Sequence, residues 1–250
     1  MCGRFVVARA KAELLADFQI DVIGPEAPEP SFNHAPMSII PIITVSPKDL
    51  ASRRLEGAKW GLVPPWANDP TVGVRAFNAR SESVHEKPTF RRALTNQRAI
   101  VPASGYYEWQ KRADGTKQPF YLHPEHPSLP LAALYEWWKA PSSPDSPWLL
   151  TATILTQAAT GHLAEIHDRM PVMLREDLLD DWINPEINGS SELVHMATQA
   201  SLDCATQLIP TAVSSMVGNV RNNGPDLIRP IDVECERQGA SHEGMKRYGP

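Results

Sequence analysis

The 250-residue sequence lacks the patterns of several common protein classes. No apolar run approaches the roughly 18–20 residues that a membrane-spanning helix needs, and the first residues do not form an apolar signal segment. The three cysteines, Cys2, Cys204 and Cys235, do not have the spacing of a zinc site, and a disulfide between two of them would leave the third unpaired. These absences predict a protein of a reducing cytoplasmic compartment, with no membrane partner and no metal ion.

The sequence also contains no glycine-rich phosphate loop and no Gly-x-Ser-x-Gly nucleophile elbow. It therefore carries no signature of a P-loop nucleotide enzyme or of an α/β-hydrolase, and we predict no bound cofactor. Cys2 is left as the best candidate nucleophile in the chain.

Cys2 follows the initiator methionine, and its side chain is small enough to permit removal of Met1 during synthesis. The mature chain would then begin with an α-amine and a thiol on adjacent carbons, whose unperturbed pKa values are roughly 7.7–8.0 and about 8.5. Such an aminothiol can condense with an aldehyde to a Schiff base that the thiol closes to a thiazolidine, or it can attack an acyl group. The alternative is a cysteine that simply packs in the core, as free cysteines often do.

The net charge is −5, from 24 Lys and Arg against 29 Asp and Glu, and this sign alone does not favour a nucleic-acid partner. The charges are unevenly distributed, because residues 1–120 hold 16 basic and 12 acidic side chains and residues 121–250 hold 8 and 17. The first half is thus net positive. A basic face on an acidic protein can still bind a phosphate backbone, with an affinity that falls as salt rises.

The pattern of apolar residues predicts a single α+β domain with an antiparallel, barrel-like β-sheet core flanked by short helices. Asp114-Gly115 is a hairpin signal between two expected strands. Residues 77–82 are expected to be a loop, residues 2–232 to form the domain, and residues 233–250 to be a disordered polar tail. The expected strands lie at 37–45, 56–63, 98–102, 106–110, 119–123, 131–137 and 148–156, and the expected helices at 10–18, 85–94, 175–182 and 192–199.

Two side chains have the settings of acid–base groups. Glu108 lies in the aromatic segment 105–109 of an expected strand, where burial would raise the pKa of its carboxyl and suit it to proton transfer. The alternative is a glutamate on the solvent face of the sheet. His167 lies in a polar loop before Pro171 and has the ring chemistry of a proton donor near neutral pH. Its alternative is a solvated loop histidine, and His34 is its only rival.

Other side chains are candidates for binding a polyanion. Asn78 and Arg80 would share a face if their segment were extended, and would then present an amide and a guanidinium to one ligand. Trp60 and Trp66 are aromatic surfaces on which bases can stack. Trp60 lies in an expected strand and is expected in the core, whereas Trp66 follows two prolines and is expected to be exposed.

Seven short segments follow one another at 1–5 (MCGRF), 33–36 (NHAP), 60–66 (WGLVPPW), 78–82 (NARSE), 105–109 (GYYEW), 166–171 (IHDRMP) and 217–220 (VGNV). Together, and in this order, they resemble the SOS-response-associated peptidase (SRAP) family, whose members protect abasic sites in single-stranded DNA by cross-linking to them. Tyr106 stands where many members carry tryptophan, and residues 140–147 and the tail after Pro230 have no counterpart that we can align.

The resemblance implies a role for each matching side chain. Cys2 would be the cross-linking nucleophile, and Asn78 would orient the amine and the sugar. Glu108 and His167 would transfer protons. Arg4, Arg80 and Arg169 match the family's phosphate contacts. Trp66 matches its aromatic residue beside the bases, and Pro36 matches its wedge between the bases.

The implied function is that of an enzyme that senses abasic sites in single-stranded DNA and shields them by a thiazolidine between Cys2 and the ring-opened sugar. It would act as a monomer, in the cytoplasm and nucleoid of a bacterium or in the nucleus of a eukaryote, with an associated thiol autopeptidase activity. Two alternatives remain open. One is an N-terminal-nucleophile thiol peptidase or amidohydrolase, which would need an oxyanion hole; the other is a non-covalent reader of modified bases or single-stranded DNA.

Overall fold

The computed structural model describes residues 2–126, 128–143 and 145–232. Met1 and the predicted tail at 233–250, with Cys235, lie outside these residues. The described strands are β1 (Phe5–Val7), β2 (Val22–Ile23), β3 (Ser31–His34), β4 (Ile39–Ser46), β5 (Asp49–Trp60), β6 (Asn78–Arg80), β7 (Arg98–Ala103), β8 (Gly105–Lys111), β9 (Lys117–His123), β10 (Leu129–Trp138), β11 (Leu149–Ala158), β12 (Arg169–Pro171) and β13 (Ile209–Ala212). The described α-helices are α1 (Lys11–Asp17), α2 (Arg91–Asn96), α3 (Leu179–Ile183) and α4 (Ser191–Thr206).

Five of these strands close into a barrel. β4 pairs antiparallel with β5 and β7, β7 with β10, and β10 with β11. β11 then closes the ring by parallel pairing with β5, where Thr151 lies opposite Lys59 and Ala152 opposite Trp60. The predicted α+β domain with an antiparallel, barrel-like core is confirmed, with this one parallel seam.

A second sheet holds the start of the chain, in the strand order β13-β9-β8-β1-β3. β1 is an inner strand, because Phe5 pairs with Tyr106 of β8 on one side and with His34 of β3 on the other. Chain ends usually fray, but pairing along both edges of β1 draws the residues before it into the interior. Cys2 is consequently 0% exposed.

The structure departs from the expected elements at several places: β1, β2, β3, β12 and β13 were not expected, and α4 runs past the expected end at residue 199. Three other differences have an evident physical cause. Residues 78–80, expected to be a loop, form β6, because they pair in parallel with β11 and that partner lies far away in sequence. β5 begins at Asp49 rather than near residue 56, because it pairs with the whole length of β4. α2 begins only at Arg91, since a proline at position 88 disfavours helix in the residue before it.

The two candidate stacking tryptophans lie in different environments. Trp60 is fully buried and its indole N–H donates to the carbonyl oxygen of Phe77 at 2.7 Å, so it is a core residue as predicted. Trp66 is 60% exposed, also as predicted. Over the described residues, no helix has the length and apolar character needed to cross a membrane.

Arg98, the first residue of β7, is a buried hydrogen-bond donor to the surrounding backbone. Burial lowers the pKa of its guanidinium to about 10, so the group stays charged at neutral pH. Its nitrogens donate at 2.6 to 2.8 Å to the carbonyl oxygens of Leu94, Thr95, Trp182, Asn184 and Ile187. The side chain therefore ties the end of α2 to the segment that follows α3.

Arg98→Met is expected to lower the free energy of unfolding by about 3 kcal/mol or more, because several buried carbonyl groups lose their donor at once. Urea unfolding measures the change. The matched control is Arg91→Met on the exposed side of α2, which should change stability by less than about 0.5 kcal/mol. Equal losses in the two variants would contradict the role assigned to Arg98.

Candidate active site

Cys2 is held in the interior by a side chain of β6, the short strand that pairs with β11 of the barrel. The side-chain amide of Asn78 on β6 donates to the carbonyl oxygen of Cys2 at 2.7 Å. Asn78 lies opposite Ile154 in the parallel pairing of β6 with β11, so its position is set by the barrel wall. The other half of the amide, Oδ1, is buried and has no hydrogen-bond partner among the described residues, which leaves an acceptor beside Cys2.

Glu108 on β8 lies close to Cys2 and is only 3% exposed. Burial raises the pKa of its carboxyl to about 7. Burial also raises the pKa of the Cys2 thiol above its usual range, and the negative charge of Glu108 raises it further. The interior therefore favours a neutral thiol beside a carboxyl group that can both give and take a proton near neutral pH.

His167 approaches the same carboxyl group from the loop before β12. Its Nε2 lies 3.9 Å from Oε2 of Glu108. Its Nδ1 accepts a hydrogen bond from the backbone N–H of Arg169 at 3.0 Å and lies 2.9 Å from a carboxylate oxygen of Asp168. Burial lowers the pKa of the imidazole, so the ring is mainly neutral at pH 7. Nδ1 therefore lies within hydrogen-bond distance of both a donor and an acceptor, and the Nε2 side of the ring faces Glu108.

The structure thus brings together the four residues expected in one pocket: Cys2, Asn78, Glu108 and His167. The separation of Nε2 and Oε2 is longer than a direct hydrogen bond and suits a bridging water or a small closure on ligand binding. His34, the rival of His167, is buried in the core and stacks on Phe5 at 4.9 Å. Burial lowers the pKa of His34 to about 4, which makes it a poor proton donor at neutral pH.

The three arginines expected to contact phosphate differ in their surroundings. Arg80 is exposed and forms no ion pair within the described ranges. Arg4 donates to Oδ1 of Asn33 at 3.0 Å, and to the carbonyl oxygens of Val217 at 2.8 Å and Gly218 at 3.2 Å. Arg169 is paired with Glu82 at 2.6 and 3.0 Å. Of the three, only Arg80 has no side-chain hydrogen bond or ion pair among the described residues, although its charge also helps to lower the pKa of Glu82. Phosphate contact by any of the three stays a prediction.

Pro36 lies in a tight turn at the end of β3. The Ser38 N–H donates to the carbonyl oxygen of Ala35 at 3.1 Å, and the Ser38 hydroxyl donates to the same oxygen at 2.7 Å. Met37 adopts a φ of 72°, a left-handed conformation that is uncommon for a residue with a side chain. The Met37 N–H donates to the carbonyl oxygen of Trp60 at 2.8 Å, which anchors the turn to the end of β5.

Sequence reasoning missed residues that support the pocket. Tyr106 was noted only as standing where many family members carry tryptophan, but it is buried, and the charges of Cys2 and Glu108 add to the effect of burial in raising the pKa of its phenol. Glu82 was noted only as part of a motif, and its contact with Arg169 spans 87 positions of the chain. In the part of the chain that the structure describes, no group of three or more His, Cys, Asp or Glu side chains could hold a metal ion.

Comparisons with known proteins agree with this arrangement. The sequence profile of the family described as SOS response associated peptidase (SRAP) matches residues 1–220. The abasic site processing protein YoqW of Bacillus subtilis is 36% identical over 231 residues, which cover 91% of this chain and 99% of YoqW. The abasic site processing protein YedK of Escherichia coli is 31% identical over 237 residues, which cover 92% of this chain and 100% of YedK.

A solved structure supports the fold independently. The crystal structure of a protein from Bacteroides thetaiotaomicron superposes with a TM-score of 0.76 at 20% identity, covering 92% of this chain and 100% of that one.

The raised pKa of Glu108 predicts how stability depends on pH. The folded chain holds this proton more tightly than the unfolded chain, so stability is lost as pH rises from about 4.5, the ordinary value, through about 7. The side chain in the Glu108→Gln variant cannot ionise, so the variant should lose none of this stability as pH rises. Between pH 4.5 and 8, the free energy of unfolding of the variant, measured with urea, should rise relative to that of the wild type by about 3 kcal/mol.

The control for this measurement is Glu186→Gln, which alters an exposed carboxylate with no ion pair among the described residues. Its stability curve should run parallel to that of the wild type. A Glu108→Gln curve that is also parallel would show that Glu108 ionises in the folded protein as easily as in the unfolded chain.

Proposed function

Because this chain belongs to the SOS response associated peptidase (SRAP) family, we propose that it processes abasic sites in single-stranded DNA through a covalent bond from Cys2. The observation that carries the proposal is the burial of Cys2 between Asn78 and Glu108. A residue at the start of a chain is usually mobile. Its enclosure beside a carboxyl group of raised pKa is what a positioned N-terminal nucleophile requires.

The proposed reaction consumes the open-chain aldehyde of the abasic sugar. After removal of Met1, the α-amine of Cys2 attacks C1′, and loss of one water gives a Schiff base. The thiol sulfur then adds to the carbon of the C=N bond while a proton moves to the nitrogen, which closes a thiazolidine. The sum is aldehyde plus aminothiol giving thiazolidine plus water. The Schiff base that would lead to strand breakage by β-elimination is thereby removed.

The acid–base groups suit these steps. Loss of water from the first adduct needs a proton donor, and a carboxyl with a pKa of about 7 is partly protonated at neutral pH. Ring closure needs a base for the thiol proton, because burial disfavours the free thiolate. Glu108 can fill both roles in succession, and His167, with Nε2 directed towards it, can relay the proton.

Recognition of the strand would use side chains at the surface around the pocket. The exposed guanidinium of Arg80 follows Asn78 by two residues along β6 and can bind a phosphate beside the reacting sugar. Trp66 offers an exposed ring on which a base can stack. Pro36 sits on the anchored turn and can separate neighbouring bases. Each of these contacts is sequence-tolerant, which suits a protein that recognises a lesion without a base. On this account the protein acts as a monomer.

The direct test is incubation with a single-stranded oligonucleotide that carries one abasic site, followed by a denaturing gel. The proposal predicts a heat-stable adduct whose mobility follows the length of the oligonucleotide, and no adduct with the intact strand. Cleavage of peptides without an adduct would favour a thiol peptidase. DNA binding with neither product would favour a non-covalent reader.

Substitution of Cys2 distinguishes the role of the thiol from that of the amine. Cys2→Ala and Cys2→Ser both keep a free α-amine, so a Schiff base that borohydride traps is expected to survive. The heat-stable adduct should fall by at least about 100-fold without reductant, because ring closure needs sulfur. Undiminished heat-stable adduct with Cys2→Ala would exclude the thiazolidine.

Arg80→Ala is expected to weaken binding to intact and abasic strands alike, because a phosphate contact carries no base information. The slope of log K against log salt should flatten by about 0.7, the value for one contact to a single strand. The control is Lys48→Ala, in the turn at the far end of β4 from Pro36, which should leave affinity and slope unchanged. An unchanged slope of log K against log salt with Arg80→Ala would show that Arg80 does not contact the DNA.

A further inference from the structure

We propose that Asn33 is a positioning residue for DNA binding, because it holds the guanidinium of Arg4 with one edge open to a phosphate of the strand. Arg4 follows Cys2 by two residues, so at most about 7 Å of backbone separates it from the candidate nucleophile. The inference rests on the proposed function for its meaning in the reaction. The hold on Arg4 itself is a property of the free protein and is testable there.

The side chain of Asn33 uses both ends of its amide. Oδ1 accepts a hydrogen bond from Nη1 of Arg4 at 3.0 Å. Nδ2 donates to the carbonyl oxygens of Asn222 at 2.9 Å, Asn219 at 3.1 Å and, more weakly, Val217 at 3.3 Å. A guanidinium can only donate and a carbonyl oxygen can only accept, so these neighbours fix which end of the amide faces Arg4. Asn33 is only 6% exposed, so little water competes for these bonds.

Residues 214–223 form a loop outside the β-strands, and side-chain hydrogen bonds hold this loop against β3. Oδ1 of Asn223 accepts a hydrogen bond from the N–H of Phe32 on β3 at 2.7 Å. The Asn33 amide, also on β3, supplies donors for two further carbonyl groups of the loop. Backbone carbonyl groups need such partners, and without them the acceptors of Arg4 would lose their fixed positions.

The protein occupies two edges of the Arg4 guanidinium. Nη1 and Nη2 donate to the consecutive carbonyl oxygens of Val217 at 2.8 Å and Gly218 at 3.2 Å, and Nη1 also donates to Asn33. These bonds use three of the five N–H groups of the side chain, which leaves the Nε–H and one N–H of Nη2. Nε has no hydrogen bond to any residue that the structure describes, but it is not among their buried nitrogens without a partner, so solvent reaches it. The edge from Nε to Nη2 is therefore open.

The open edge has the form and the charge that a phosphate requires. The Nε–H and the remaining N–H of Nη2 lie on one side of the guanidinium and match two oxygens of one phosphate. Over the described ranges, the acceptors of Arg4 are neutral amide oxygens, and none of them is a carboxylate. The positive charge is therefore available. Because its orientation is set before the strand binds, the contact costs less entropy.

A purely structural role is the alternative, in which Arg4 and Asn33 only tie the 214–223 loop to β3 and to the start of the chain. Both roles predict a loss of stability when Asn33 is replaced. Only the positioning of a phosphate contact predicts that a neutral substitution, which removes no charge, changes the salt dependence of DNA binding.

The experiment measures the affinity of the full chain for an intact single-stranded oligonucleotide as salt is varied. Asn33→Leu keeps the size of the side chain and removes both ends of the amide. The slope of log K against log salt should flatten by about 0.7, the value for one contact, and the affinity at 0.1 M salt should fall about fivefold. An unchanged slope, or a higher affinity because the guanidinium is released, would overturn the proposal.

Two further variants identify the residue through which Asn33 acts. Asn223→Ala removes the other tie between the loop and β3 without touching Arg4, and should leave the slope unchanged. Arg4→Ala should flatten the slope by about 0.7, and adding Asn33→Leu to it should flatten it no further, because the two residues serve one contact. Additive flattening in the double variant, or equal flattening by Asn223→Ala, would show that Asn33 does not act through Arg4.

NMR of the wild type supplies the test if Asn33→Leu does not fold. In the free protein, hydrogen bonds at both Nη atoms should give Arg4 separate Nη proton resonances in place of one averaged signal. The Nε proton should shift downfield when the intact strand is added, because the phosphate accepts from it. An averaged Nη signal, or an Nε proton that does not shift in the saturated complex, would refute the proposal.

The proposed function and the role of Asn33 fail in different ways. Binding with the predicted change of slope, but no abasic-site adduct from the wild type, would refute the proposed chemistry and leave the role of Asn33 standing. A normal adduct from the wild type, with an unchanged slope in Asn33→Leu, would refute that role and leave the chemistry standing.

Discussion

The pairing of β1 along both of its edges is the constraint on which the site depends. Hydrogen bonds to β8 and β3 hold the first strand inside a sheet, and the residue three positions before Phe5 is thereby enclosed. A fully buried Cys2 cannot form hydrogen bonds with water, so its carbonyl oxygen accepts a hydrogen bond from the side-chain amide of Asn78. The start of the chain thus lies against β6, the short strand that pairs with β11 of the barrel, and the four candidate residues come together there.

In the proposed reaction, the burial of Cys2 also decides how protons must move. The environment that disfavours the Cys2 thiolate also raises the pKa of the Glu108 carboxyl to about 7. A thiol that does not ionise by itself needs a base at hand, and a carboxyl of ordinary pKa would be too weak a base near neutral pH. The His167 ring, which burial keeps mainly neutral, lies 3.9 Å from the Glu108 carboxyl, a separation that one bridging water can span in the proposed reaction.

Local sequence patterns predicted most of the architecture but not the contacts between distant segments. The hairpin at Asp114-Gly115, the buried Trp60 and the exposed Trp66 follow from turn chemistry and apolar alternation, which are local. β6 was missed because three residues become a strand only against β11. The burial of His34 depends on stacking against Phe5 across two strands. The Glu82–Arg169 pair was invisible for the same reason, since neither residue's neighbours in sequence indicate its partner.

The central claim is that Cys2, freed of Met1, bonds covalently to the sugar of an abasic site. The most direct measurement is mass spectrometry of the intact adduct with an abasic single strand, followed by peptide mapping. The account predicts a mass equal to the chain without Met1 plus the oligonucleotide minus one water, with the oligonucleotide on the N-terminal peptide. A chain that retains Met1, or an adduct mapped to any other residue, would contradict it.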